Sequence, residues 1–254
     1  MDEADKKSIL IIVEGEKTDV SLMKKVIAAY PVSDTYRIVS YCTNIYALYQ
    51  EMVTYGTASF DAIDLLLILK NRERDESKKK LFDAKYTDIL LIFDLDPQDS
   101  RFNDRIVMQL QEYFTDSSDM GKLYINYPMV EAFYHMQSIP DRNFHERKVS
   151  IAELKNKQYK TRVQQETMAG DYRKFATTRD QITIVIRQNL AKAHTLQSGT
   201  IFAWTDPQVT TEVDHLTVLR VQLGRLMIDN RFDVLSTCVF FVADYNPAFL
   251  EIKE

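Results

Sequence analysis

Two short apolar runs, Ile9-Leu10-Ile11-Ile12-Val13 and Ile89-Leu90-Leu91-Ile92-Phe93, each lead directly into acids: Glu14-Gly15-Glu16 after the first and Asp94-Leu95-Asp96 after the second. Unbroken runs of this length read as strands buried on both faces, the pattern of a parallel sheet covered by helices. In an open α/β sheet the carboxyl ends of such strands share one edge, and ligands gather there. Acids far apart in sequence can therefore converge, and converging carboxylates suit a hard divalent cation. Gly15 permits close backbone approach beside Glu14. Either acid pair alone is equally well explained as a helix cap, since Asp and Glu favour helix N-termini.

The surrounding pattern alternates strand and helix. Residues 18–30 read as a helix, with Val20, Met23, Val26 and Ile27 at helical spacing and Pro31 beyond. A strand over 37–42 and a helix over 45–55 follow, and the apolar stretch 62–69 runs into a mixed-sign segment, 70–80, that reads as a helix end and loop. Then come a strand at 88–93, a helix at 103–114 and a strand at 122–125. Asn126-Tyr127-Pro128 follows, with a helix through Met136 that takes the proline in its first turn. This order predicts an α/β fold with a mostly parallel sheet flanked by helices over residues 1–140. Residues 141–254 read as a mainly helical region, clearest at 181–196, 213–229 and 234–245, the last of which also suits a strand. A soft boundary near residue 140 separates a catalytic α/β domain from a helical domain with a basic segment.

Several classes are disfavoured. Cys42 and Cys238 have neither metal-type spacing nor a disulfide context and read as half-buried ordinary residues; His135, His145, His194 and His215 form no zinc motif. The longest apolar stretches are too short for a membrane span, and the first seven residues are too acidic for a signal peptide, so a cytoplasmic location without membrane association is expected.

The net charge of −5 is unevenly distributed. Residues 142–179 hold ten bases and four acids, a local +6 that leaves −11 elsewhere. A basic arm beside an acidic metal-holding body is what an enzyme acting on phosphodiesters needs. Lys157, Lys160 and Arg162 are the expected nucleic-acid contacts on that arm, with Tyr159, Tyr172 and Phe175 interleaved for stacking on bases. A solvated helical surface accounts for the same charges. Lys17, just past the glycine turn, is a candidate phosphate contact.

The stretch Ile11-Ile12-Val13-Glu14-Gly15-Glu16-Lys17-Thr18-Asp19 and the motif Ile92-Phe93-Asp94-Leu95-Asp96 together resemble the Toprim family, the catalytic module of topoisomerases, bacterial primases, small ribosomal RNA maturases and nucleases of the OLD and RloB type. Asn126-Tyr127-Pro128-Met129-Val130-Glu131 is similar to the Asn-Pro-x-x-Glu element of RloB-like proteins, with Tyr127 intervening. The resemblance covers about the first half of the chain. It implies that Glu14 is a general acid/base or metal residue and that Asp94 and Asp96 are ligands of Mg²⁺ or Mn²⁺. Glu16, Asp19, Asp99 and Glu131 are further candidates for the ion or its surroundings, and His135, one helical turn from Glu131, is either a flanking group or a satisfied surface residue.

The resulting expectation is a Mg²⁺-dependent Toprim nuclease acting on DNA or RNA. The resemblance to RloB-like and OLD-like phage-defence proteins, and to the AriB component of PARIS, implies a defence effector. No Walker A pattern is present, so an ABC-type or AAA-type ATPase would be a separate partner; a homodimer is the other assembly considered. The alternatives are a non-catalytic Toprim-like scaffold that binds a partner, and a phosphatase of the haloacid dehalogenase type. The latter shares the apolar-DxD start but has Gln98 where a small hydroxyl or branched residue is expected, and it leaves Glu14 unexplained.

Overall fold

The computed structural model describes residues 7–55 and 63–252. The first six residues, and Ala62 at the start of the apolar stretch 62–69, lie outside the described residues. β1 (Ser8–Val13) and β2 (Thr35–Ser40) are joined by α1 (Thr18–Ala29). α2 (Ile45–Tyr55), α3 (Leu65–Arg72) and α4 (Glu76–Lys79) precede β3 (Asp88–Asp94), and α5 (Asp104–Tyr113) leads to the short β4 (Thr115–Asp116) and to β5 (Gly121–Asn126). The five strands form one sheet in the order β2-β1-β3-β5-β4, parallel except where β4 runs against β5.

The sequence pattern explains the central strands. Every residue of β3 is buried, as are all but the first of β1, because helices cover a parallel sheet on both faces. The register sets Val13 opposite Ile92 and Asp94 opposite Asn126, so the two acidic turns leave the sheet at the same edge. Local capping punctuates the helices. Asn103 accepts from the backbone N–H groups of Arg105 and Ile106 at the start of α5, and Asp64 accepts from Leu67 at the start of α3.

After the sheet come β6 (Lys148–Ser150), α6 (Ile151–Lys155), α7 (Gln158–Glu166), α8 (Arg179–Ser198), α9 (His215–Asp229), β7 (Arg231–Asp233) and α10 (Phe241–Tyr245), with β6 and β7 forming a two-stranded antiparallel ribbon. A continuous buried apolar cluster extends from Ile9 to Leu250 and includes residues on both sides of position 140. No helix of the described residues is long and apolar enough to cross a membrane.

Three segments differ from the sequence expectation. Residues 126–136 do not form an α-helix: Tyr127 exchanges two backbone hydrogen bonds with Leu235, and the Pro128 carbonyl accepts from Leu95 and Asp96. These bonds hold the chain against neighbouring elements, leaving only a 3₁₀ turn at Val130–Tyr134, and Pro128 precedes that turn rather than starting it. The same pairing draws Leu235 into extended backbone, so 234–245 is neither one helix nor one strand and ends in the short α10. Within 70–80, Asp75 caps a further turn, α4.

Candidate metal centre

Glu14 follows β1 but is still held to the sheet: its N–H donates to Ile92 O at 3.1 Å and its carbonyl accepts from Cys42 N at 3.0 Å. This backbone frame sets its side chain beside β3, where Glu14 Oε2 accepts from the Asp94 N–H at 3.1 Å. Asp94, the last residue of β3, is 8% exposed. Its Oδ1 accepts from Asn126 Nδ2 at 3.2 Å. Asn126 is itself fixed from the other side, because its Oδ1 accepts from Ser236 Oγ at 3.3 Å and from Cys238 N at 3.4 Å. Asp96 leaves the strand in the left-handed region, φ 43°, a conformation that aspartate tolerates better than most residues. Gln98 Nε2 donates to Asp96 Oδ1 at 2.8 Å.

Two more acids close on this edge. Asp19 lies in the first turn of α1 and is 5% exposed. A Cβ at Gly15 would stand 2.5 Å from Asp19 Oδ2, so the glycine after Glu14 is what lets the Asp19 carboxylate fold back against the turn. Glu131, on the 3₁₀ turn, is also 5% exposed, and Lys160 Nζ reaches its Oε1 at 3.1 Å from α7. Asp19 Oδ1 and Glu131 Oε2 are buried without a hydrogen-bond partner.

Burial and mutual repulsion both favour protonation here. The Glu14 carboxyl is pushed up to about 8 by burial and by the charges of Asp96 and Asp19, with the Asp94 N–H and Lys160 opposing. Asp94 is driven well above the ordinary aspartate range by burial, then by Glu14, Asp96, Asp19 and Glu131. Burial also raises Asp19 and Asp96, against hydrogen bonds from the backbone of Asp19 and Gly15 and from Gln98 respectively. For Lys160, burial opposes the charge, but Glu131, Asp94 and Asp96 outweigh it and raise the ammonium above its ordinary value. Lys160 thus supplies positive charge to a group of five acids.

The donor set consists of carboxylate oxygens with two unpartnered atoms, which suits Mg²⁺ or Mn²⁺ by type. Among the described residues, however, no three or more His, Cys, Asp or Glu side chains stand arranged as a group that can hold an ion. The residues fit the ion in chemistry and burial; side-chain adjustment is required to close a coordination shell.

The remaining candidates fall elsewhere. Glu16 is exposed and accepts from the Cys42 thiol at 3.2 Å. Both oxygens of Asp99 are taken by Arg101, and Oδ2 also accepts from Asn44 at 2.8 Å; these hydrogen bonds, Arg101 first, hold its carboxyl below the usual range. Lys17 and Lys157 are exposed. Arg162 is committed internally, donating to Glu153 Oε2 at 3.0 Å and to Lys148 O at 2.8 Å. Tyr159 and Phe175, expected to stack on bases, are buried at 1% and 0% exposure, and only Tyr172 of the three is partly accessible. His135 does not flank the acids through a helix. Its ring nitrogens meet Tyr159 Oη at 3.2 Å and Glu166 Oε2 at 2.9 Å, and burial depresses its pKa to about 2. Cys42 is exposed and Cys238 fully buried, so neither is half-buried.

The structure adds Asn126 to the residues that shape the site and selects Asp19 over its neighbour Glu16. Gly15 was the available sequence signal for Asp19; nothing in the local pattern signals the link from Asn126 to Ser236. No protein-family model matches the chain, and no curated protein and no solved structure matches it.

Proposed function

We propose that the chain is a divalent-cation-dependent nuclease of the Toprim type, with Glu14, Asp94 and Asp96 as its principal acids and Asp19 and Glu131 beside them. The observation that carries this reading is the bond from the Asp94 N–H to Glu14 Oε2, which couples the acids of two separate strands at the carboxyl edge of the sheet. Glu14, Asp94, Asp96, Asp19 and Glu131 would hold Mg²⁺ or Mn²⁺. The chemistry such an ion supplies is neutralisation of charge on the phosphodiester oxygens.

The chain's own residues have separable tasks. Asn126 holds one oxygen of Asp94 and so orients its carboxylate. With Oε2 engaged by the Asp94 N–H, Glu14 has Oε1 to take or give a proton, and a carboxyl near 8 is suited to proton transfer around neutral pH. Lys160, charged and adjacent to Glu131, offers a cation to phosphate oxygens at the edge of the acid group. Exposed bases on the arm, Lys157 among them, attract the polyanionic backbone.

The test incubates purified protein with Mg²⁺ or Mn²⁺ and end-labelled single-stranded and double-stranded DNA and RNA, comparing wild type with Glu14→Gln and Asp94→Asn. Metal-dependent cleavage by the wild type alone is expected. An inert wild type that still binds nucleic acid would favour a scaffold. A defence role with a separate ATPase rests on the resemblance and is tested by co-purification with such a partner.

A further inference from the structure

Two adjoining cavities of about 480 Å³ and about 380 Å³ open beside β4 and the start of β5 and share Thr115, Lys122 and Glu212 in their walls. Lys122 stands opposite Leu90, four residues before the Asp94–Asn126 pair. At about 3.3 Å per residue, that separates the cavities from the acid edge by about 13 Å along the strand.

Three polar atoms on residues lining the larger cavity are buried without a hydrogen-bond partner: Gln111 Oε1, Gln197 Oε1 and His215 Nε2. Gln111 and His215 are only 4% and 8% exposed. Gln111 is oriented by its own Nε2, which donates to Leu123 O at 3.2 Å, so its amide oxygen is the atom left over. His215 sits edge-on to Tyr124, and burial lowers its pKa to about 4, leaving the ring neutral near pH 7. Buried polar atoms of this kind gain from a partner brought by a ligand.

The charge of the walls indicates what that ligand is. Glu112, Asp116, Glu212, Asp214 and Asp244 line the two cavities against Lys122, whose ammonium is held by Asp244 at 2.8 Å and lies 3.7 Å from Glu212, while Arg220 reaches Glu112 at 3.5 Å; an entering polycation exchanges with these last two longer pairs, whose carboxylates are exposed. The carboxylates are spread along two joined cavities, an arrangement that suits spaced positive charges rather than one ion. Phe114 and Val213 provide apolar wall between the polar groups. We propose that these cavities bind a linear aliphatic polyamine, its ammonium groups meeting Glu112, Glu212 and the amide oxygens of Gln111 and Gln197, and its methylenes lying against Phe114 and Val213.

Isothermal titration of spermidine into the full, metal-free chain at low and at physiological salt tests this. Glu112 and Glu212 have side chains 50% and 83% exposed, so Glu112→Gln/Glu212→Gln should preserve the fold, as circular dichroism will verify. Wild type is expected to show one saturable site, weakened by about tenfold in that double variant and measurably weakened in Gln197→Leu, with Glu14→Gln binding as wild type. Unsaturable binding, or equal affinity in the double variant, would overturn the proposal as general attraction of a polycation to an acidic protein. Loss of binding in Glu14→Gln would move spermidine to the metal centre and overturn it as well.

Discussion

Asn126 Nδ2 donates to Asp94 Oδ1 across the adjacent strands β3 and β5, tying a buried acid of the site to a side chain anchored by Ser236 and Cys238 more than a hundred residues later. The C-terminal segment therefore helps to aim an acid set by the sheet. Asn126→Ala leaves the Cys238 N–H, the Ser236 hydroxyl and Asp94 each short of a partner. It is expected to destabilise the fold by about 1–3 kcal/mol. Urea unfolding measures the loss, and a variant as stable as wild type would show that water replaces the amide without cost.

The steric relation between Gly15 and Asp19 yields a sharper test. A Cβ at 15 meets Asp19 Oδ2 at 2.5 Å, closer than side-chain carbons approach oxygen. Gly15→Ala should cost about 1–3 kcal/mol through overpacking. Asp19→Ala removes the obstructing atoms, so the double variant should recover most of that loss, giving a coupling energy between the two positions. Additive effects would mean that the backbone, not the Asp19 carboxylate, demands the glycine.

These relationships also mark where sequence reasoning was sufficient and where it was not. β1 and β3 were legible because strands buried on both faces must be continuously apolar, and an abrupt change to acids marks where they leave the core. Choosing between Glu16 and Asp19 required knowing that α1 begins at Thr18, which turns residue 19 back toward the sheet while residue 16 stays in solvent. Glu131 lies in a segment with helical composition that backbone bonds to Leu235, Leu95 and Asp96 pull into another shape. Tyr159 and Phe175 were misread as surface aromatics because bases surround them in sequence; α7 buries Tyr159 against His135, and Phe175 packs on Phe133 and Tyr134. Such long-range choices leave no periodic signal.

The electrostatics predict an unusual pH profile. Glu14 holds a proton in the folded state up to about 8, whereas the unfolded chain releases it near 4.5. Stability from this group is fully present below 4.5 and is lost as pH rises through 8, because the folded state binds the extra proton over that window. Asp94, Asp19 and Asp96, all raised, act in the same direction. The melting temperature of metal-free protein should therefore fall from pH 5 to pH 8, less steeply in Glu14→Gln. Mg²⁺ at about a hundred times its dissociation constant should return about 2.7 kcal/mol. A profile that rises over this range would contradict the crowding of the acids.

Lys160 offsets part of that crowding and, on the proposed function, would compete with a bound ion for the same negative charge. Lys160→Gln is expected to lower the melting temperature of the metal-free protein and to tighten Mg²⁺ binding by about twofold to fivefold, a modest factor because the lysine side chain is 64% exposed and screened. If Lys160 also contacts phosphate, cleavage should slow even though the ion binds better. Calorimetry and a cleavage assay read the two effects separately, and weaker Mg²⁺ binding would show that Lys160 organises Glu131 rather than competing for it.

The basic arm divides into surface and structural residues, and salt dependence separates them. Lys157 is exposed at the start of α7, while Arg162 is occupied by Glu153 and by the Lys148 carbonyl and lies 5.6 Å from the Tyr159 ring centroid. Lys157→Gln should weaken nucleic-acid binding and reduce the slope of log affinity against log salt by about 0.7 to 0.9, the contribution of one phosphate contact. Arg162→Ala should leave that slope intact yet lower stability by about 1–3 kcal/mol, since it leaves the Glu153 carboxylate and the Lys148 carbonyl without their partner.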